Sequence, residues 1–319
     1  MNSIEIIKDE LDELETKLKE FVRSDIPLAT EISQYIVSSG GKRIRPTLCI
    51  LTAKALFYKG KELIDLSAAI ELLHTATLIH DDVVDESLVR RGKDSVQVRW
   101  SDAHGVLVGD FVYSKAFQLM AGLKEKRLIE ELSNSTNKIS EGEVLQLSLK
   151  AKPNFSEKEY FEVIGRKTAE LFKASVVTAC ILSKANEKVL KSLERFSYNL
   201  GIAFQIRDDL LDYVGKEDKI GKKLGKDFEE GKITLPIVRA IELSNEEEEK
   251  FLKDNLSERN MKNFDQTLDL IINSGAIDKV KEDEDRFVRE CLNELEILSP
   301  SKFKDALIGI TKGLLNRNS

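Results

Sequence analysis

Apolar residues recur at spacings of three and four along almost the whole of this 319-residue chain, and that rhythm excludes most folds before any motif is read. Ile4, Ile7, Leu11, Leu14, Leu18 and Phe21 open it as one stripe on a helix. The same period predicts helices over about 27–38, 46–58, 61–84, 103–122, 124–150, 156–184 and 187–214. After a break it returns over about 233–243, 245–254, 259–274, 276–294 and 300–316. Only 5 Pro and 17 Gly punctuate the chain, which leaves room for long helices. No segment alternates with period two beside turn chemistry, so a sheet is not expected. No linker rich in Ser, Pro or Gly divides it. The expected architecture is all-α, with a single domain over 1–319.

Charge and composition narrow the function. Lys plus Arg is 49 and Asp plus Glu is 56, a net charge of −7, which disfavours a general nucleic-acid binder. No apolar run reaches 18 residues, so no integral membrane segment is expected. Residues 1–21 are charged throughout and hold no apolar signal core. Cys49, Cys180 and Cys291 are far apart and sit beside apolar residues. That is neither a disulfide framework nor a zinc pattern; it predicts buried free thiols in a reducing compartment, and hence a cytoplasmic protein.

Two carboxylate clusters interrupt apolar helices. The first is Asp81-Asp82-Val83-Val84-Asp85. Positions 81 and 85 are one helical turn apart, and His74 and Thr77 extend the same polar stripe upstream. The second is Asp208-Asp209-Leu210-Leu211-Asp212, with Gln205 one turn before it. A solvated helix would carry a broad mixed polar face, whereas these carboxylates form narrow stripes among Leu, Ile, Phe and Val. Burying them alone would cost several kcal/mol per charge. A divalent cation on oxygen ligands resolves the conflict, and Mg²⁺ suits it best: it takes one or two carboxylates, keeps waters and shares phosphate oxygens with a substrate. One such cluster would read as a solvated helix end; two with identical spacing do not. An EF-hand is excluded, because its alternating Asp/Asn and turn Gly are absent.

Three basic stretches supply the opposite charge. Gly40-Gly41-Lys42-Arg43-Ile44-Arg45-Pro46 ends one helix and starts another, placing Lys42 and Arg45 at a helix N-terminus that favours anions. Taken alone it is equally a capped turn with solvated charges. Arg90-Arg91-Gly92 follows Asp85 closely, and arginine suits bidentate phosphate contact. Gly221 to Lys226, continuing to Lys232-Ile233-Thr234-Leu235-Pro236, follows the second cluster and is either a lid over an anion or an ordinary solvated loop. Lys167-Thr168 means little alone. Together, acidic clusters for cations and basic loops for anions describe a site for Mg²⁺-bridged diphosphates, with an apolar cavity for an apolar tail.

At this point the sequence resembles the all-trans polyprenyl diphosphate synthases, over nearly the whole chain and with the motifs in the family's order. These are Gly-Gly-Lys-Arg-Ile-Arg-Pro, His-Thr-Ala-Thr-Leu-Ile-His-Asp-Asp-Val-Val-Asp, Arg-Arg-Gly, Lys-Thr, Phe-Gln-Ile-Arg-Asp-Asp-Leu-Leu-Asp and Gly-Lys-Ile-Thr-Leu-Pro. The stretches 71–92 and 106–119, with Glu141-Gly142-Glu143-Val144-Leu145-Gln146, look like the octaprenyl and decaprenyl synthases that make quinone side chains. The resemblance implies an isoprenoid-synthase helical bundle around a deep central cavity, and a homodimer. It implies metal motifs at Asp81, Asp82, Asp85, Asp208, Asp209 and Asp212. Asp81 and Asp85, with Asp208 and Asp212, would hold two or three Mg²⁺ ions that bridge the allylic diphosphate. Lys42, Arg45, His74 and Arg91 would bind isopentenyl diphosphate. Arg90, Lys167, Thr168, Gln205 and Lys222 would contact the allylic diphosphate, helped by Lys232. Lys167, Arg90, Arg91 and Gln205 would act in catalysis by stabilising the leaving group.

The growing tail would run down the helix that bears Asp81. Ala76 lies roughly 7–8 Å below that residue, and a bulky aromatic there would stop the chain early. A small residue is also what a tight helix contact needs. Met120, with Leu119, Leu123, Leu128 and Leu132, is a candidate for the floor. The expected activity is long-chain synthesis. Alternatives are a short-chain farnesyl or geranylgeranyl diphosphate synthase, disfavoured by Ala76, and a non-catalytic subunit, disfavoured by the presence of both clusters. A terpene cyclase would carry an Asn/Ser/Glu second motif and more aromatics than the 7% present.

Overall fold

Pro27, Pro46 and Pro236 all sit in the first turns of helices, where the missing N–H costs nothing. The long helices between these starts follow the apolar period, apart from one break near residue 165. A computed structural model describes residues 5–150, 152, 154–215 and 224–315. Contacts divide the chain into two compact units. The first comprises Met1–Thr136, Ala174–Glu194 and Ile297–Leu307; the second comprises Asn137–Lys173, Arg195–Glu296 and Ile308–Ser319.

In the first unit α1 (Lys8–Phe21), entered through a 3-10 turn at Glu5–Ile7, buries Ile7, Leu14 and Leu18 from the predicted stripe. It is followed by α2 (Pro27–Val37), α3 (Ile44–Ala55) and α4 (Glu62–Val84). A hairpin of β1 (Val89–Arg90) and β2 (Lys93–Asp94), a turn of helix α5 (Val96–Arg99) and α6 (Asp102–Gly122) complete its main frame. Glycine lets α6 approach α4 closely. A side-chain carbon at Gly105 would lie 2.5 Å from Val83 Cγ2, and one at Gly109 would lie 2.1 Å from His80 Nε2. Among the described residues α4 alone is long and apolar enough to cross a membrane, although no uninterrupted apolar run marks it. Since 72% of its apolar window is buried inside the protein, it is a core helix.

The hairpin corrects the expectation that no sheet forms. Its ladder pairs only Val89 with Asp94 and Arg90 with Lys93, too short for any period-two signal. Arg91 (φ 53°) and Gly92 (φ 74°) turn it, both left-handed, as a two-residue I′ hairpin requires.

Helix α7 (Lys126–Leu149) carries the chain into the second unit. There α8 (Glu157–Ile164) starts with a capping box, Ser156 and Glu159 each satisfying the other's backbone N–H. The predicted helix 156–184 is not continuous. A π turn at Gly165–Ala169 separates α8 from α9 (Glu170–Leu182). Next come α10 (Glu187–Val214), a single turn α11 (Lys226–Glu229), α12 (Leu235–Leu243) and α13 (Glu246–Ser257). The predicted helix 259–274 is a 3-10 turn at Met261–Asn263 followed by α14 (Phe264–Asn273). Then come α15 (Ala276–Glu294) and α16 (Lys302–Leu315).

The core of this second unit gathers Ile206, Leu210 and Tyr213 of α10 with Phe228, Leu235, Ile237, Leu256, Ile271 and Val280. Each such aliphatic side chain contributes about 1.5–3 kcal/mol over its exposed state. Polar rungs set the register of α10 on α15: Arg195 donates to Glu294 at 2.6 Å, Asn199 to Glu290 at 2.9 Å and Arg207 to Glu284 at 2.8 Å. All three cysteines are buried and free, as the sequence predicts.

Candidate active site

In the first unit the carboxylates end α4. Asp81 and Asp82 lie in its last turn, and Asp85 caps it, its N–H bonded to the Asp81 carbonyl at 2.8 Å. One turn therefore separates Asp81 and Asp85, as their spacing requires. Asp82 points elsewhere. It is 4% exposed, and Arg90 reaches it from β1, Nε donating to Oδ1 at 2.8 Å. Gln97 fixes the turn beneath by donating to the carbonyls of Asp82 at 2.5 Å and Ser87 at 2.6 Å.

The Gly-Gly-Lys-Arg-Ile-Arg-Pro loop divides its cations between structure and surface. Arg43 stands in the left-handed region (φ 45°) before α3 and is 8% exposed. It donates to Glu15 at 2.6 Å, Glu71 at 2.7 Å and the Val37 carbonyl at 2.8 Å, which ties α1, α2 and α4 to the loop. Lys42, one residue earlier, is exposed. Arg45 reaches His74 of α4, its Nη1 3.0 Å from Nε2. Burial, then the charges of Arg45, Arg91, Arg90 and Arg43, push the His74 pKa well below its ordinary value. A neutral imidazole accepting from Arg45 follows. Burial, with Arg91 adding to it, brings Arg45 down to about 10. Arg91 reaches back to the Gly40 carbonyl. A side-chain carbon at Gly41 would lie 2.7 Å from its guanidinium carbon, so the glycine makes this approach possible.

Beside these arginines is a small cavity of about 20 Å³, lined by Tyr35 and Ile36 of α2, Thr75, Leu78 and Ile79 of α4, and Arg90 and Arg91. Ala76 and Met120 do not line it; they are buried at 0% and 1% exposure. Leu119, Leu123, Leu128 and Leu132 are buried as well.

In the second unit α10 presents the other cluster. Asp208 is exposed, whereas Asp209, 100° further round the helix, is 3% exposed. Asp209 accepts from Tyr160 Oη at 2.8 Å, Gln205 Nε2 at 2.8 Å and the Leu235 N–H at 3.2 Å. Burial, then the charge of Asp227, pushes its carboxyl up to about 8 against those three bonds. Asp212 accepts the N–H groups of Lys226 at 3.2 Å and Asp227 at 3.0 Å, at the start of α11. Burial, then Asp227, raises it to about 7. Gln205 is a relay: Thr168 Oγ1 donates to its Oε1 at 2.8 Å while its amide donates to Asp209. Lys167, on the π turn, donates to Glu143 at 2.6 Å and Gln146 at 2.9 Å. Lys232 pairs with Glu230 at 2.5 Å and Asp227 at 3.8 Å. Lys222 lies outside the described residues.

Within one unit the structure pairs Arg45 with His74 and Asp82 with Arg90; within the other it joins Thr168, Gln205 and Asp209, while Lys167 and Asp212 have other partners. Sequence reasoning missed Tyr160, Asp227 and the pairing of Arg43, since no spacing rule connects residues tens of positions apart. Among the described residues no three His, Cys, Asp or Glu side chains converge to cage a metal by themselves. One or two carboxylates per ion, completed by substrate oxygens, is the mode that Mg²⁺ uses, and Asp81, Asp85, Asp208 and Asp212 fit it.

The polyprenyl synthetase family model matches residues 26–271. Octaprenyl diphosphate synthase of Escherichia coli (strain K12) is 36% identical over 315 residues, 98% of each chain. A decaprenyl diphosphate synthase structure from Rhodobacter capsulatus superposes with a TM-score of 0.94 at 33% identity, covering 99% of this chain and 98% of that one. A polyprenyl synthase from Caulobacter crescentus CB15, complexed with calcium and isoprenyl diphosphate, also gives 0.94 at 33% identity, covering 100% and 98%. Full-length likeness of this kind, in both sequence and fold, leaves one conclusion: the chain belongs to the polyprenyl synthetase family of prenyltransferases.

Proposed function

We propose that the protein is a long-chain all-trans polyprenyl diphosphate synthase. It extends farnesyl or geranylgeranyl diphosphate with isopentenyl diphosphate to octaprenyl or decaprenyl length, for a quinone side chain. The observation that carries this is the full-length similarity to octaprenyl and decaprenyl synthases together with both Asp clusters and their basic partners.

In this reading Lys42, Arg45, neutral His74 and Arg91 bind the diphosphate of isopentenyl diphosphate and aim its double bond. Arg90, Lys167, Thr168, Gln205, Lys222 and Lys232 hold the allylic diphosphate. Asp81, Asp85, Asp208 and Asp212 would hold two or three Mg²⁺ ions. Bound Mg²⁺ neutralises charge on the leaving diphosphate. Asp82 and Asp209 keep their neighbours oriented. As the allylic C–O bond breaks, the cationic side chains stabilise the departing diphosphate. The isopentenyl double bond attacks the allylic cation, and a proton leaves to the released diphosphate, giving a new trans double bond.

Ala76 leaves the tail its path, with Met120 near the floor. A homodimer is supported by α6, which leaves Val106 46% and Phe117 42% exposed, three turns apart on one face. Three buried thiols support a reducing, cytoplasmic setting. Since each unit draws on three separate stretches of chain, we read 1–319 as one domain.

The test is a product assay with farnesyl diphosphate, labelled isopentenyl diphosphate and Mg²⁺, sized by mass after dephosphorylation. A dominant C40 to C50 product is expected. Arrest at C15 or C20 would overturn the assigned length, and no product at all would favour a non-catalytic subunit.

A further inference from the structure

Glu141-Gly142-Glu143-Val144-Leu145-Gln146 of α7 has no part in the diphosphate contacts assigned above. Four of these six residues meet the π turn that presents Lys167. Glu141 pairs with Arg166. A side-chain carbon at Gly142 would lie 2.8 Å from the Lys167 backbone nitrogen and 2.8 Å from Arg166 Cβ, so α7 touches the turn's main chain there. Glu143 Oε2 and Gln146 Oε1 accept from the Lys167 ammonium at 2.6 Å and 2.9 Å. They are three residues apart, hence on one face of α7.

An ammonium on a four-carbon stem is a mobile point charge, unlike the rigid fork of arginine. Two acceptors on one rigid helix remove that mobility. The pair is also well shielded, with Lys167 21% and Glu143 30% exposed at the side chain, so the interaction is weakened less by solvent than a surface pair. The π turn adds a second constraint. Its extra residue per turn sets the direction in which position 167 leaves the helix, and π turns recur at functional sites. Direct main-chain contact at Gly142 keeps turn and acceptors in register.

We propose that Glu143 and Gln146 are positioning residues for Lys167, and that they hold its ammonium where the allylic diphosphate arrives and departs. The proposal rests on Lys167 being a diphosphate ligand, as in the function proposed above. Because the same ammonium meets both bound substrate and leaving group, loss of Glu143 changes kcat as well as KM for the allylic substrate. It leaves KM for isopentenyl diphosphate alone.

The experiment uses full-length wild type, Glu143→Gln, Gln146→Leu, Lys167→Met and the double variants with Lys167→Met. Binding of inorganic diphosphate in the presence of Mg²⁺ is measured by calorimetry, beside steady-state kinetics. Glu143→Gln is expected to weaken diphosphate binding about tenfold, and Gln146→Leu less. In the Lys167→Met background both changes should have no further effect. Unaltered binding in Glu143→Gln would overturn the proposal, as would an equal loss in both backgrounds, since the effect would then bypass Lys167. If Glu143→Gln does not fold, Gln146→Leu carries the same cycle. Wild type that binds diphosphate while Lys167→Met binds it equally well would instead overturn the role of Lys167 itself, and this proposal with it.

Discussion

The two carboxylate clusters are spelled alike, Asp-Asp-x-x-Asp, yet the protein treats their middle residues in opposite ways. Asp82 is buried against the Arg90 guanidinium, so its charge is met by a charge. Asp209 is buried among a phenol, an amide and a backbone N–H, with another carboxylate, Asp227, near enough to disfavour ionisation. The last residues differ too. Asp85 closes a helix, whereas Asp212 accepts two N–H groups at the start of another. Identical spacing therefore fixes which residues can reach a cation, but not which of them stay ionised without one. That is decided by partners far along the chain.

The largest effects should come from the outer residues, where the two clusters are expected to agree. Asp81→Asn and Asp208→Asn should each lower turnover on the order of 100- to 1000-fold and raise the Mg²⁺ concentration for half-maximal rate. A Mg²⁺ titration in which only one of them shifts would show that the clusters are not equivalent ion holders.

The middle residues should then separate the clusters. Arg90→Leu leaves the Asp82 charge buried alone. A fully buried pair would lose about 3–5 kcal/mol, and a guanidinium that is 33% exposed reduces this to roughly 2 kcal/mol. Tyr160→Phe removes one bond from a carboxyl that can stay protonated, and should cost about 1 kcal/mol. Equal midpoints in denaturant unfolding would erase the distinction.

The smallest effect is one of pH on metal-free protein. The folded chain holds the Asp209 proton up to about 8, while the unfolded chain releases it near the ordinary aspartate value of 3.8. Between those values the folded state binds more protons, so stability falls as pH rises. Asp209→Asn should flatten that slope in melting temperatures taken from pH 5 to 9. A slope unchanged by Asp209→Asn would place the uncompensated charge elsewhere.

Much of the fold was legible because one period repeats from residue 4 to residue 315, and Pro27, Pro46 and Pro236 mark starts that need no N–H. The π turn was not, since widening a helix by one residue leaves composition untouched and shifts the apolar period only locally. Nor was the hairpin, whose two-residue strands carry no alternation. At the site, residue types were legible and partners were not. In the basic loop the sequence marks Lys42 and Arg45 as anion ligands, and nothing in it shows that Arg43 between them pairs with Glu15 and Glu71, each 28 residues away. Asp82 and Asp209 belong to the same two motifs, and their spacing does not report that Arg90 and Tyr160 are their partners.

The three buried cysteines give the fold a built-in clock. Burial pushes Cys49 and Cys180 up to about 12, and Cys291 higher still, so none is a thiolate near neutral pH. A thiol reagent therefore labels only molecules that have opened. Cys49 and Cys180 belong to one unit and Cys291 to the other. The rates at which mass is added at these positions time the breathing of each unit separately, in an unaltered chain with no probe introduced.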